Sequence, residues 1–167
     1  MRVVYYNGKF VPESEAKISI FDSALMFGDM VFEMTRSFGK KQFKLREHID
    51  RLYSSIDHVK IPIDISKTEM EEICFKTIKK NESEFLDTDE HRLMINVSRG
   101  PLSIYSEIFN NNLEPTIIVA DFPLKWTVQG MGKLFDTGIN AIIPKQRAIP
   151  EELLDPKVKN RSRLHYM

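Results

Sequence analysis

Lys157 and Lys159 flank Val158 just after Pro156 and just before Asn160, at a predicted loop-to-helix junction. A neutral lysine amine condenses with an aldehyde, and a rigid backbone of this kind can aim one into a cleft while leaving it reachable. Two solvated surface charges are the plainer reading of the same pair. Arg51 lies in REHIDRL, three residues after His48. Its guanidinium is planar, permanently charged and able to grip a phosphate through two parallel hydrogen bonds. It could equally pair with Glu47 on an exposed helix face, an interaction of small energetic value. Arg36 and Arg99 close two apolar runs, VFEMTR and LMINVSR. Each could reach over a pocket mouth to a carboxylate, or simply snorkel at a sheet edge.

Other chemistries have less to work with. His48, His58, His91 and His165 lack the close pairing of a zinc site, and neither a Gly-x-Ser-x-Gly elbow nor a phosphate-binding loop occurs. The single cysteine, Cys74 in EEICFKTIKK, cannot form an internal disulfide and reads as a buried structural thiol. Lys plus Arg and Asp plus Glu balance at 24 each, which gives no reason to expect nucleic acid as a partner. With 42% hydrophobic and 29% charged residues the composition is that of a folded, water-soluble protein. No apolar run approaches the roughly 20 residues that span a bilayer, so no membrane partner is expected. Charge and a Gly turn near the start are unlike a signal peptide, which makes the cytoplasm the simplest location.

The elements that would carry these groups follow from patterning. Arg2 to Tyr6 and Lys9 to Val11 are β-rich around Asn7-Gly8, a dipeptide suited to a tight hairpin turn. FGDMVFEMTRSF, then Gly39-Lys-Lys, then Gln-Phe-Lys-Leu45 read as strand, turn and strand. From Arg46 to Val59, the residues Ile49, Leu52, Ile56 and Val59 form one apolar helical stripe, with His48 and Arg51 on a neighbouring face. Ser66-Lys-Thr-Glu69 has the form of a capping box for a second helix, whose inner face continues through Ile73, Cys74, Thr77 and Ile78. The polar stretch from Asn81 to Glu90 is its exit loop. Leu93 to Val97 and Thr116 to Ala120 are short β-branched strands, separated by an exposed loop at Asn110-Asn-Asn112.

Beyond Asp121 the glycines at 130, 132 and 138 and the prolines at 144, 150 and 156 interrupt any long element. The pattern predicts an α+β domain over 1–121, a largely antiparallel sheet packed on two helices. Over 122–167 it predicts a linker and the opening of a second α/β domain. The closing LDPKVKNRSRLHYM runs into a helix with neither a Gly stop nor a polar tail, so the expectation is a chain that continues past residue 167.

Taken in order, YNGKFVP, AKISIFDSALMFGDMVFE, FKLREHIDRL, VSRG at 97–100 and DPKVKNRSRL at 155–164 resemble the class IV pyridoxal-phosphate enzymes. That group contains branched-chain aminotransferases, D-amino acid aminotransferases and aminodeoxychorismate lyase, and the resemblance covers nearly the whole chain. It implies the N-terminal domain of a class IV aminotransferase, pyridoxal 5'-phosphate as cofactor, and transfer of an amino group between an amino acid and a 2-oxo acid. It also implies a homodimer with the active site near the subunit interface. By the family's Lys-x-x-Asn setting, Lys157 would bind the cofactor covalently and shuttle protons during turnover. Arg51, in the His-x-x-Arg-Leu helix, would hold the cofactor phosphate. Phe32, before the Glu of the strand, would line the substrate pocket, and Arg36 and Arg99 would be candidates for the substrate carboxylate.

Two positions depart from the commonest family pattern. Arg161 stands where many aminotransferases of the group have a tyrosine. It is counted with the cofactor-contacting residues, and it makes aminodeoxychorismate lyase action the alternative. Phe32 lacks the hydroxyl that D-amino acid members often present, which leans toward an apolar, branched-chain-like pocket. The carboxylate that pairs with the pyridine nitrogen and the amide cup for the phosphate would lie beyond residue 167. Outside the family, the alternative is a small α+β interaction module.

Overall fold

In the computed structural model, which describes residues 1–162, period-two burial builds a six-stranded antiparallel sheet. β1 (Val3–Tyr6) and β2 (Lys9–Pro12) pair with Tyr6 facing Lys9, so Asn7 and Gly8 form a two-residue turn. Both have positive φ, 40° and 86°, as that turn requires. β3 (Met30–Phe38), β4 (Lys41–Gln42), β5 (His91–Ser98) and β6 (Thr116–Pro123) complete the order β2-β1-β6-β5-β3-β4.

Alternate residues decide which face meets the helices. Val31 of β3, Leu93, Ile95 and Val97 of β5, and Ile117 and Val119 of β6 share one core with α2 (Leu45–Val59) and α3 (Lys67–Asn81). α2 contributes Leu45, Ile49, Leu52 and Ile56, and α3 contributes Met70, Cys74 and Ile78. A fully buried side chain of this size, such as Leu52 or Met70, contributes roughly 1.5–3 kcal/mol. The opposite face presents Phe32, Met34, Arg36, Arg92, Met94 and Asn96, all half-buried. The capping box at Ser66 and Glu69 forms as the sequence predicts. Cys74 is fully buried, and burial pushes its thiol up to about 12.

Three elements differ from the sequence expectation. β4 is only two residues long, because the chain turns at Lys44 into α2, whose first residue Leu45 is already buried. Asn81 is buried at the end of α3, where its side-chain amide bonds both the N–H and the C=O of Val3. Between Lys125 and Thr137 the chain forms a helix, α4, that runs through Gly130 and Gly132. Each glycine costs a helix about 1 kcal/mol, yet the first turn is fastened by Lys125 to Asp89 (2.9 Å) and by Phe122 stacked on Trp126. A short helix, α1 (Ser23–Phe27), is capped by Asp22, which is also bonded by Thr116. Opposite it, Gly100 has φ +77°, and a Cβ there would lie 2.1 Å from the carbonyl oxygen of Glu114.

Among the described residues, no helix is long and apolar enough to cross a membrane. Where the sequence predicts a closing helix to begin, residues 157–162 form turns and a bridge to β3 instead, because Asn160 pairs with Val31; the remainder of that stretch, with His165, lies outside the described residues.

Candidate active site

The first half of β3 has an open edge, because β4 pairs only with Ser37 and Phe38. Residues 158–160 fill it. Val158 enters the core, Asn160 bridges to Val31, and the N–H of Phe32 donates to the carbonyl of Lys159 at 3.0 Å. The N–H of Lys159 in turn donates to Ser55 Oγ of α2 (3.2 Å). Backbone pairing on one side and a helix hydroxyl on the other thus fix where the Lys159 side chain starts.

That side chain ends on Glu33, whose carboxylate is 1% exposed. Lys159 Nζ is 3.0 Å from Glu33 Oε2. Arg51 reaches the same carboxylate with two donors, Nε on Oε1 and Nη2 on Oε2, the latter at 2.9 Å. His48 Nδ1 lies 2.7 Å from Oε2. Burial pushes this carboxyl up, but hydrogen bonds from Arg51, His48 and Lys159 more than compensate and hold it at about 2. It is therefore an anion at any physiological pH, ringed by cations from α2 and from the 158–160 segment. Arg51 remains half-exposed, and its Nη1 has no partner among the described residues.

Phe32 turns to the other face of β3. Lys159 Nζ stands 5.2 Å from its ring centre and the Arg161 guanidinium carbon 4.3 Å. Arg161 Nε also donates to Asn96 Oδ1 at 3.0 Å. Next to the ring opens a cavity of about 430 Å³, lined among others by Phe32, Met34, Arg36, His48, Arg92 and Lys159. Arg36 and Arg92 are Cα partners across the β3–β5 ladder and both line the cavity, the Arg36 guanidinium lying 4.0 Å over the Phe38 ring and Arg92 Nε 2.8 Å from Met34 Sδ.

Of the residues singled out in the sequence, Arg51, Phe32, Arg36 and Arg161 come together here with Lys159. Lys157 does not join them. It is exposed, its N–H donates to Asp155 Oδ1, and it lines a different depression with His58 and residues 151–156. Arg99 is committed elsewhere as well. Its Nε bonds Asp29 (2.6 Å), and its terminal nitrogens bond the carbonyls of Val59 and Lys60 (2.7 Å each), oxygens left orphaned at the end of α2. Arg51 is not the partner of Glu47, which lies instead 3.9 Å from Lys44. Glu33, His48 and Arg92 belong to the constellation although sequence reasoning gave them no role. Glu33 did carry a signal, since an acid among the buried alternate positions of an apolar strand requires a cation. Among the described residues, no cluster of His, Cys, Asp and Glu is arranged to hold a metal ion.

Comparison with known proteins identifies the family. The family described as amino-transferase class IV matches residues 30–167. A Methanocaldococcus jannaschii protein provisionally named a branched-chain-amino-acid aminotransferase is 35% identical over 162 residues, covering 97% of this chain and 52% of that protein. The D-alanine aminotransferase of Listeria monocytogenes is 28% identical over 151 residues, covering 89% of this chain and 47% of its own. The chain thus spans about half the length of the curated relatives it matches. In fold it resembles the branched-chain aminotransferase of the thermophilic archaeon Thermoproteus uzoniensis, solved with norvaline, with a TM-score of 0.70 and 21% identity over 92% of this chain and 49% of that one. Since the matched stretch takes in β3, α2 and the segment that delivers Lys159, the chain belongs to the class IV aminotransferase family.

Proposed function

We propose that this chain furnishes part of the active site for pyridoxal-phosphate-dependent transfer of an amino group between an amino acid, of branched-chain or D-amino acid type, and a 2-oxo acid. The observation that carries the reading is the meeting of an amine, a guanidinium and an imidazole on one buried carboxylate beside a cavity of about 430 Å³. Class IV aminotransferases are pyridoxal-phosphate enzymes, and the residues present fit that group. Arg51 has a guanidinium edge to spare for the phosphate, Phe32 offers an aromatic shelf crossed by Arg161, and Lys159 brings an amine to the same place. When bound, the cofactor supplies an aldehyde that captures amines and a ring that accepts the electrons left on a deprotonated carbon.

The chain's own residues would divide the remaining work. Lys159 Nζ anchors the cofactor, then takes a proton from the substrate α-carbon and returns it on the other side of the transfer. Arg36 and Arg92, which both line the cavity, would take the substrate carboxylate. Phe32 and Met34 keep water from the reacting carbon. Lys157 is the amine that the Lys-x-x-Asn spacing favours, whereas position, pairing and burial favour Lys159. The division into 1–121 and 122–167 belongs to the same proposal, supported by the absence of any buried side chain in α4. So do a homodimeric assembly and a cytoplasmic location, which the family resemblance supports.

Trapping decides between the amines. The chain is mixed with pyridoxal phosphate, reduced with borohydride and mapped by peptide mass. A pyridoxyl group on Lys159, lost in Lys159→Ala and kept in Lys157→Ala, is expected. Modification confined to Lys157 would reverse the assignment, and equal labelling of every exposed lysine would reject the site. Pyruvate release from aminodeoxychorismate, in place of amino transfer to 2-oxoglutarate, would mark the lyase instead.

A further inference from the structure

Building on the reading of Arg51 as the phosphate holder, we propose that Glu33 is the positioning residue of the site, fixing the Arg51 guanidinium in one orientation before an anion of the phosphate class arrives. The alternative is that Glu33 merely neutralises the cations around it, and the two ideas predict opposite signs.

Geometry favours positioning. Glu33 cannot move, being 1% exposed and held in β3 opposite Ile95. It grips Arg51 at two points, one oxygen to Nε and the other to Nη2, which fixes the plane of the guanidinium and not only its distance. His48 closes the third side, with Nδ1 2.7 Å from Glu33 and 3.4 Å from Arg51 Nη2. The grip leaves Nη1 and the outer edge of a half-exposed side chain facing outward. Neutralisation, by contrast, is incomplete. One carboxylate faces both Arg51 and Lys159, so the cluster keeps a surplus positive charge for an incoming anion. An arginine without this grip would have to surrender several rotamers on binding, and prior fixing removes that cost.

The experiment uses inorganic phosphate as the probe and the chain as it stands. Phosphate affinity is measured by titration calorimetry on wild type, Glu33→Gln, Glu33→Ala and Arg51→Ala. Positioning predicts binding roughly tenfold weaker in Glu33→Ala and a smaller loss in Glu33→Gln, which keeps an oxygen to accept from the guanidinium. Binding in Glu33→Gln that equals or exceeds wild type overturns the proposal, because removing a negative charge would then have cost nothing. A second measurement needs no variant. In wild type, Arg51 Nε–H should exchange with water markedly more slowly than that of Arg46, a surface residue 82% exposed that also pairs with a carboxylate. Equal exchange rates overturn the proposal even if the variants fail to fold. Phosphate binding unchanged in Arg51→Ala, or absent in wild type, sinks the reading of Arg51 itself and this inference with it. Loss in Arg51→Ala with tighter binding in Glu33→Gln sinks the inference alone.

Discussion

Acidifying the chain from about pH 5 to about pH 2.5 isolates the energetic weight of Glu33. Its carboxyl lies at about 2 instead of the usual 4.5, because the donors of Arg51, His48 and Lys159 outweigh the burial that pushes it up. A group whose pKa is lower folded than unfolded releases its proton more readily in the folded state. Its stabilisation is therefore complete above the unfolded value and is lost as the pH falls through 4.5 toward 2. At about 1.4 kcal/mol per tenfold change in affinity for the proton, the gap corresponds to at most about 3 kcal/mol. Glu33 is 1% exposed but its partner Arg51 is half-exposed, so solvent screening brings the stabilisation below that ceiling. Urea unfolding of wild type and Glu33→Gln across the range should show wild type losing about 2 kcal/mol more than the variant. Glu69, Asp89 and Glu90 are also held below the usual carboxylate range, but they titrate in both proteins and cancel in the difference. Parallel stability curves would refute the reasoning, since the cation cluster would then contribute nothing to holding Glu33 charged.

Gly100→Ala should lower stability by at least about 2 kcal/mol, because it forces a side chain into a left-handed backbone and against the Glu114 carbonyl. An unchanged urea midpoint would contradict that account. Arg99→Ala should cost about 1–3 kcal/mol by freeing the carbonyls of Val59 and Lys60. Hydrogen exchange at the end of α2 should quicken with it, and a variant of full stability with weakened substrate binding would instead restore Arg99 as a carboxylate holder. The Cys74 thiol, buried and pushed up to about 12, should react with an aromatic disulfide reagent only as fast as the chain unfolds. Prompt labelling of the native protein would show that this part of the core opens.

Local periodicity made the helices and strands legible, because each buries one stripe or one face and the apolar residues mark it. α2 and its Arg51 could be read from Ile49, Leu52 and Ile56 alone, and the α3 start from Ser66 and Glu69. Groups brought together by long-range pairing were not legible. Arg36 faces Arg92 only because β3 and β5 adopt one register, and nothing local to either strand specifies it. The two lysines show the same limit. They are two residues apart on an irregular segment, and only the bridge between Asn160 and Val31 decides which of them reaches Glu33. α4 was missed for a different reason, since its glycines lower helix propensity while its anchoring contacts come from β6, from the turn at Asp89 and from Arg2.

The amine that meets Glu33 comes from a residue 126 positions further along the chain. During synthesis, β3, α2 and their buried acid are complete long before residues 158–160 leave the ribosome. Through that interval the N–H of Phe32 and its neighbours form a bare strand edge, the kind of template on which a second nascent chain can pair. A single late event therefore brings the Lys159 amine to Glu33 and covers the edge of β3. A chain stopped short of Val158 would leave that edge bare.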